Sequence, residues 1–240
     1  MSKREGLKGT SVPFDYNKYL GSNDKQIKLS DEPLPKDGYY IYTIYGKRGS
    51  GKSNLILNIL HHKIFYKNYF DNIIFVSPTA KNDKKFEDLI EEVESEGNYY
   101  DDIDEDILTE IIEKLQTFNN EWDKKRNIRN LLIFDDCIHL LPKSTQKSKL
   151  HELITTNRHL KCNIWITSQR FKNINTLIRT NVDLISFFKN DNLMEKKMFC
   201  DEYSIDNDVL EAICKKQHDF MHISYCSGIP LYYDKFNIIK

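Results

Sequence analysis

Between Gly46 and Ser53 the chain reads Gly-Lys-Arg-Gly-Ser-Gly-Lys-Ser, which satisfies the pattern G-x-x-x-x-G-K-[ST] at every fixed position. The chemistry open to such a run is the holding of a nucleoside triphosphate. Gly46, Gly49 and Gly51 let the backbone turn tightly enough for successive N–H groups to face inward, with Lys47, Arg48 and Ser50 completing the loop. A helix beginning near Lys52 adds its positive dipole end at the phosphates. From there Lys52 can reach the β- and γ-phosphates, and Ser53 can ligate Mg2+.

Two further places carry chemistry. Leu131, Leu132, Ile133 and Phe134 run into Asp135 and Asp136, the form of a buried parallel strand that delivers carboxylates at its C-terminal end. Asp135 stands where an aspartate holds Mg2+ through water, and Asp136 where a general base polarises an attacking water. The alternative is that the pair caps a following helix. A second apolar strand, Asn163 to Thr167, ends in Ser168, Gln169 and Arg170; by itself Gln169 reads equally as a strand-end surface residue. Resemblance to additional-strand ATPases, in which this strand lies between the strands carrying the glycine loop and the acidic pair, implies that it bonds the γ-phosphate or its attacking water.

The elements needed to position these groups follow from periodicity. Tyr39 to Tyr45 is aromatic and β-branched, as a buried strand should be, and residues 53 to 65 set Leu55, Ile56, Ile59 and Leu60 on one helical face. Strand, glycine loop and helix therefore occur in the order the loop requires, which disfavours an ordinary surface turn. Further strands are expected at Asn72 to Val76 and Val182 to Phe187. Solvated helices separated by a loop near Gly97 are expected in the acidic tract from Glu87 to Glu110, with helical spacing from Ile107 to Leu115, and a further helix over Lys147 to Arg158. Beyond Asn190 come helices near Met194 to Tyr203 and Asn207 to Lys216, then a hairpin from Phe220 to Tyr233 around Gly228-Ile229-Pro230. Strands alternating with helices imply an α/β fold with a mainly parallel central sheet flanked by helices. The expected division is an N-terminal arm at 1–38, a nucleotide-binding core at 39–190, and C-terminal helices and a hairpin at 191–240 packed on that core.

The motifs taken together resemble a known family. Arg158-His159-Leu160 followed by Thr167-Ser168-Gln169-Arg170 is similar to the R-x-x-G…A-T-Q-R segment of the FtsK/HerA superfamily of additional-strand, RecA-like P-loop NTPases. Within it, Ser77-Pro78-Thr79-Ala80, the Asp135-Asp136 pair and Arg158-His159 resemble the poxvirus-type DNA-packaging ATPases, which have relatives in giant viruses and virophages. The likeness spans about Tyr39 to Lys189. It departs from the FtsK pattern at Leu160 and Lys161, where small residues are usual.

The resemblance implies an ATP- and Mg2+-dependent ATPase that drives double-stranded DNA into a preformed capsid, working as a pentameric or hexameric ring at a capsid vertex, in the virus factory of the host cytoplasm or in the virion. By position Arg158 becomes the arginine finger that reaches a neighbour's γ-phosphate, where a guanidinium neutralises developing charge; a helix-end surface arginine is its other reading, and Arg170 and Arg179 are rivals. Two other functions remain open: a HerA-like helicase or translocase in replication or end processing, and a nucleotide-switched structural protein of the capsid vertex. A small-molecule kinase is disfavoured, because no arginine-rich lid segment follows the glycine loop.

Composition sets the outer limits. The 240 residues, 40% hydrophobic and 30% charged, suffice for one sizeable core. A formal net charge of −1 argues against a uniformly basic nucleic-acid binder and confines DNA contact to local patches or an assembled ring. The basic loop Lys143-Ser144-Thr145-Gln146-Lys147-Ser148-Lys149 is the best local candidate, with an exposed solubilising loop as its alternative; Tyr99-Tyr100 and Tyr232-Tyr233 are read as packing residues before base-stacking ones. Five scattered cysteines without a C-x-x-C pair suit a reducing compartment. With no membrane-spanning run and no signal-peptide core, the chain is expected to be intracellular or packaged in a particle.

Overall fold

A computed structural model describes residues 32–121, 127–141 and 147–239. Five parallel crossovers and an antiparallel tail build one sheet, which among the described residues has nine strands in the order β3-β2-β4-β5-β1-β6-β7-β8-β9. The strands are β1 (Ile41–Tyr45), β2 (Asn72–Val76), β3 (Tyr99–Tyr100), β4 (Asn130–Phe134), β5 (Cys162–Ser168), β6 (Leu184–Phe188), β7 (Phe220–Ser224), β8 (Leu231–Asp234) and β9 (Asn237–Ile238). The helices are α1 (Lys52–His61), α2 (Glu87–Ser95), α3 (Glu105–Glu121), α4 (Lys149–Thr156), α5 (Thr176–Asn181), α6 (Leu193–Tyr203) and α7 (Asn207–Ile213).

Strand alternation divides the apolar residues between two layers. Ile41 and Tyr45 of β1, Leu132 and Phe134 of β4, and Ile164 and Ile166 of β5 face α3 to α7. Tyr42, Ile44, Leu131, Ile133 and Trp165 face α1 and α2. Burial on both faces explains why these strands read as continuous apolar runs. On α1, Leu55, Ile56, Ile59 and Leu60 are all buried, each worth about 1.5–3 kcal/mol relative to exposure.

The structure amends several boundaries. Helix α1 stops at His61, because His62 is extended (φ −90°, ψ 132°) and Phe65 falls in the following turn. Helix α4 starts at Lys149, fixed by the Ser148 side chain, which accepts the His151 N–H at 3.2 Å. The acidic tract is helical but not simply solvated: Leu89, Ile90 and Val93 of α2 and Leu108, Ile111, Ile112 and Leu115 of α3 are buried. Between them Tyr99 and Tyr100 form a short strand parallel to β2, with the Tyr99 hydroxyl donating to the Ser77 carbonyl at 2.6 Å. Strand β7 pairs antiparallel with β6, so the C-terminal hairpin extends the central sheet.

At the edge where the parallel strands begin, asparagines close the hydrogen bonding that the ladder leaves open. Asn98 donates to Asn72 at 2.9 Å, Asn72 to Asn130 at 3.0 Å, and Asn130 to Asn119 at 3.0 Å. Near the centre, Tyr42, Ser186 and His222 form a buried chain. His222 Nε2 lies 2.6 Å from the Pro33 carbonyl, which can only accept, so Nε2 carries the proton and Nδ1 accepts from Ser186 Oγ at 3.0 Å. The Tyr42 hydroxyl then donates to Ser186 at 2.7 Å.

Burial lowers the His222 pKa from 6.5 to about 4. The unfolded chain therefore binds more protons between those values, and stability is complete above about pH 6.5 and falls as pH drops toward 4. Chemical denaturation should show a loss of about 2 kcal/mol between pH 7.5 and 5 attributable to this group, absent in His222→Gln. Equal pH sensitivity in the two proteins would contradict that assignment.

Candidate functional site

Strand β1 ends at Tyr45 and the glycine loop begins with a bond from Gly46 N–H to the Ser168 carbonyl at 3.1 Å, tying the loop to the end of β5. A Cβ at Gly46 would stand 2.3 Å from Ser50 Oγ and 2.9 Å from Phe188 Cβ, so no side chain fits there. Gly51, at the N-cap of α1, has φ +113°, which favours glycine for backbone reasons. Lys47 turns outward to Asp191 at 2.7 Å, an exposed ion pair of small energetic weight. Arg48 and Ser53 line the cleft. The Lys52 ammonium donates to the Gly46 carbonyl at 2.7 Å and the Lys47 carbonyl at 3.4 Å. Burial lowers its pKa, opposed by the charges of Asp136 and Asp135.

Sheet register assembles the acidic side. β5 lies between β1 and β4, with Tyr45 opposite Ser168 and Phe134 opposite Ile166. Asp135, one residue beyond Phe134, therefore falls beside Thr167, whose hydroxyl donates to its Oδ1 at 2.8 Å. Burial raises the Asp135 pKa, the Thr167 bond lowers it, and Asp136 raises it further. Asp136 adopts φ +53°, a left-handed conformation that costs a non-glycine residue about 1–2 kcal/mol. Its N–H is held by Thr167 Oγ1 at 3.0 Å. Gln169 Nε2 donates to Asp136 Oδ2. Lys52, Ser53, Asp135, Asp136 and Gln169 thus border one cleft of about 750 Å³ at the C-terminal edge of the parallel strands.

Two walls of this cleft lie outside the predicted site residues, although Thr79 belongs to a motif that carries the family resemblance. One is the turn after β2, with Thr79, Asn82, Asp83 and Lys85; its signal was its place at the C-terminal end of a parallel strand, where α/β sheets bind ligands. The other is His218, from the segment joining α7 to β7, which carries no motif. Arg158 lies elsewhere. Its guanidinium, 56% exposed, is 3.6 Å from Asp183, whose other oxygen accepts the Ile41 N–H at 2.8 Å. Ile41 starts β1, so Arg158 sits on the opposite edge of the sheet from the glycine loop, separated by four strand rises or roughly 13 Å. Arg170 is exposed next to Gln169, and Arg179 lies 3.7 Å from Glu202 and over the Phe171 ring. Positions 143 to 146 of the basic loop lie outside the described residues; Lys149 pairs with Glu152 at 2.9 Å. Tyr233 is buried against His222, as a packing residue would be.

The groups present suit a triphosphate with Mg2+. The loop is a cradle that side chains at 46 and 51 would fill or strain. Ser53 and Asp135 would hold the metal, one hydroxyl and one carboxylate being a usual protein share for an ion that keeps waters and takes phosphate oxygens. Among the described residues no cluster of three or more His, Cys, Asp or Glu could form an all-protein metal site. Mg2+ bound there supplies charge neutralisation on the phosphate oxygens.

All five cysteines are buried and free, and among the described residues no helix is long and apolar enough to cross a membrane. Comparison with known proteins agrees with this architecture. The genome packaging NTPase B204 of Sulfolobus turreted icosahedral virus 2, in complex with ATPγS, is similar at a TM-score of 0.60 and 18% identity, covering 82% of this chain and 98% of that one. B204, the DNA-packaging ATPase of Sulfolobus turreted icosahedral virus, gives 0.59 and 19%, covering 81% and 96%. The pCW3 conjugation coupling protein TcpA gives 0.51 and 15%, covering 92% and 68%. An uncharacterised protein, L437 of Acanthamoeba polyphaga mimivirus, is 23% identical over 164 residues, 66% of this chain; the match spans about half, 55%, of that relative's length. The fold is shared with the B204 NTPases. Residues 27–234 match the family described as Poxvirus A32 protein, and the chain belongs to that family.

Proposed function

We propose that this chain is an ATP-hydrolysing motor that moves double-stranded viral DNA into a preformed capsid. The observation that carries the reading is the convergence of Lys52, Ser53, Asp135, Asp136 and Gln169 on one cleft in a chain of the poxvirus A32 family. Lys52 and the loop N–H groups hold the triphosphate, and Ser53 and Asp135 hold Mg2+. Asp136 orients and deprotonates the attacking water. Gln169, bonded to Asp136, senses the γ-phosphate and couples its presence to that base. Residues 39–190 serve as the ATPase core with 191–240 packed on it.

The remaining parts belong to an assembly. Arg158 is exposed on the edge away from its own cleft, so it serves a neighbour's site in a pentameric or hexameric ring and not its own. Mixing Arg158→Ala subunits with Asp136→Ala subunits should recover measurable turnover; none despite verified co-assembly would remove the finger role. DNA passes through the ring at a capsid vertex in the virus factory or virion, touched by phosphate contacts from Lys147, Lys149 and their loop, independent of sequence and sensitive to salt. The direct test is steady-state hydrolysis with and without duplex DNA. Stimulation by DNA that fades as salt rises is expected, and turnover indifferent to DNA at low salt would contradict the reading.

A further inference from the structure

We propose that His218 is a positioning residue of the nucleotide site, holding the Ser50–Gly51 peptide so that the Gly51 N–H faces the phosphates; this rests on reading the cleft as a triphosphate site. His218 Nδ1 lies 2.9 Å from the Ser50 carbonyl. A carbonyl only accepts, so Nδ1 carries the proton and donates. Every described peptide is trans, which sets the Gly51 N–H antiparallel to that carbonyl and directs it away from the imidazole. The N–H at a helix N-terminus has no partner within the helix, so the direction set by His218 decides where this donor is aimed. Gln217 Nε2 approaches the Gly49 carbonyl at 3.5 Å from the same segment.

Both sides of the contact are built for it. At Gly51 an added Cβ would meet Phe188 Cε1 at 3.4 Å and His218 Nδ1 at 3.5 Å, so the imidazole and the Phe188 ring pack against a bare α-carbon. The segment carrying His218 is itself braced. The Asp219 carboxylate accepts the Lys216 N–H at 2.8 Å and pairs with Lys235 at 3.0 Å. The Lys189 N–H donates to the Asp219 carbonyl at 2.9 Å. Residues from the end of β6, the start of β7 and the turn after β8 therefore fix the imidazole. The antiparallel edge of the sheet thereby becomes part of the phosphate site, although it contributes no residue to the glycine motif.

The test compares ATP and GTP binding, each with Mg2+, by the full chain and by His218→Leu and His218→Asn, with melting temperatures recorded. Asparagine places an N–H donor where Nδ1 stands, and leucine does not. Leucine should weaken both nucleotides about tenfold, the worth of one well-placed hydrogen bond, and asparagine should restore most of the loss. Unchanged binding by His218→Leu overturns the proposal. So does a loss confined to ATP, which would make His218 a base contact, or an asparagine variant as weak as leucine at an unchanged melting temperature. Binding of neither nucleotide by the unaltered chain would overturn the triphosphate reading itself, an outcome distinct from a defect confined to the variants.

Discussion

Lys52→Ala is expected to lower kcat/KM for ATP by about a thousandfold, the scale seen when a preorganised charge is removed from developing negative charge in a dry site. Lys52 is 9% exposed and its ammonium rests on the Gly46 carbonyl at 2.7 Å. Burial already lowers its pKa, so the fold carries a desolvated cation whose compensation is incomplete. Deleting that cation removes the phosphate contact while relieving the cost of burial, because a buried charge contributes little net stability. The melting temperature should therefore stay near that of the unaltered chain while turnover collapses. Activity within tenfold of the unaltered chain would remove Lys52 from the site.

Asp136→Asn should separate binding from hydrolysis. The substitution preserves shape and keeps the left-handed backbone at φ +53°, since asparagine is among the residues that tolerate it. The Asp136 N–H bond to Thr167 is a main-chain contact and survives. What disappears is the acceptor charge that takes a proton from water, a loss of about 10²- to 10⁴-fold in turnover. ATP affinity should change by less than a factor of about three, because phosphate holding resides in the loop and Lys52. Parallel loss of binding and turnover would mean that Asp136 holds the metal or the nucleotide and is not the base.

Local chemistry made the glycine loop, the acidic pair and the glutamine legible, and two-sided burial made the strands that carry them legible. Residues 72–76 were bounded correctly because an apolar run with polar flanks has few other uses. Where pairing depends on distant chain, the sequence was silent. The two residues of β3 are too few to show alternation, and the attachment of the C-terminal hairpin to β6 is a tertiary choice that no local pattern encodes. His218 reaches the glycine loop only through that attachment, 168 residues from Ser50. The helix ends failed for a different reason: Phe65 and Tyr66 continue an apolar pattern past His61, but they pack from a turn whose Tyr66 N–H bonds the Ile59 carbonyl at 2.9 Å. Arg158 shows the limit of motif spacing. Its interval to Gln169 is visible in the sequence, while the opposite-edge placement follows from β5 running the full depth of the sheet between them.

Hydrolysis in this cleft should move duplex DNA. Displacement of a third strand from a triplex-bearing duplex measures that directly, with Asp136→Asn as the control. Displacement by the unaltered chain should require ATP and Mg2+ and be absent with Asp136→Asn. Rapid ATP hydrolysis on the duplex with no displacement, or equal displacement by Asp136→Asn, would contradict it.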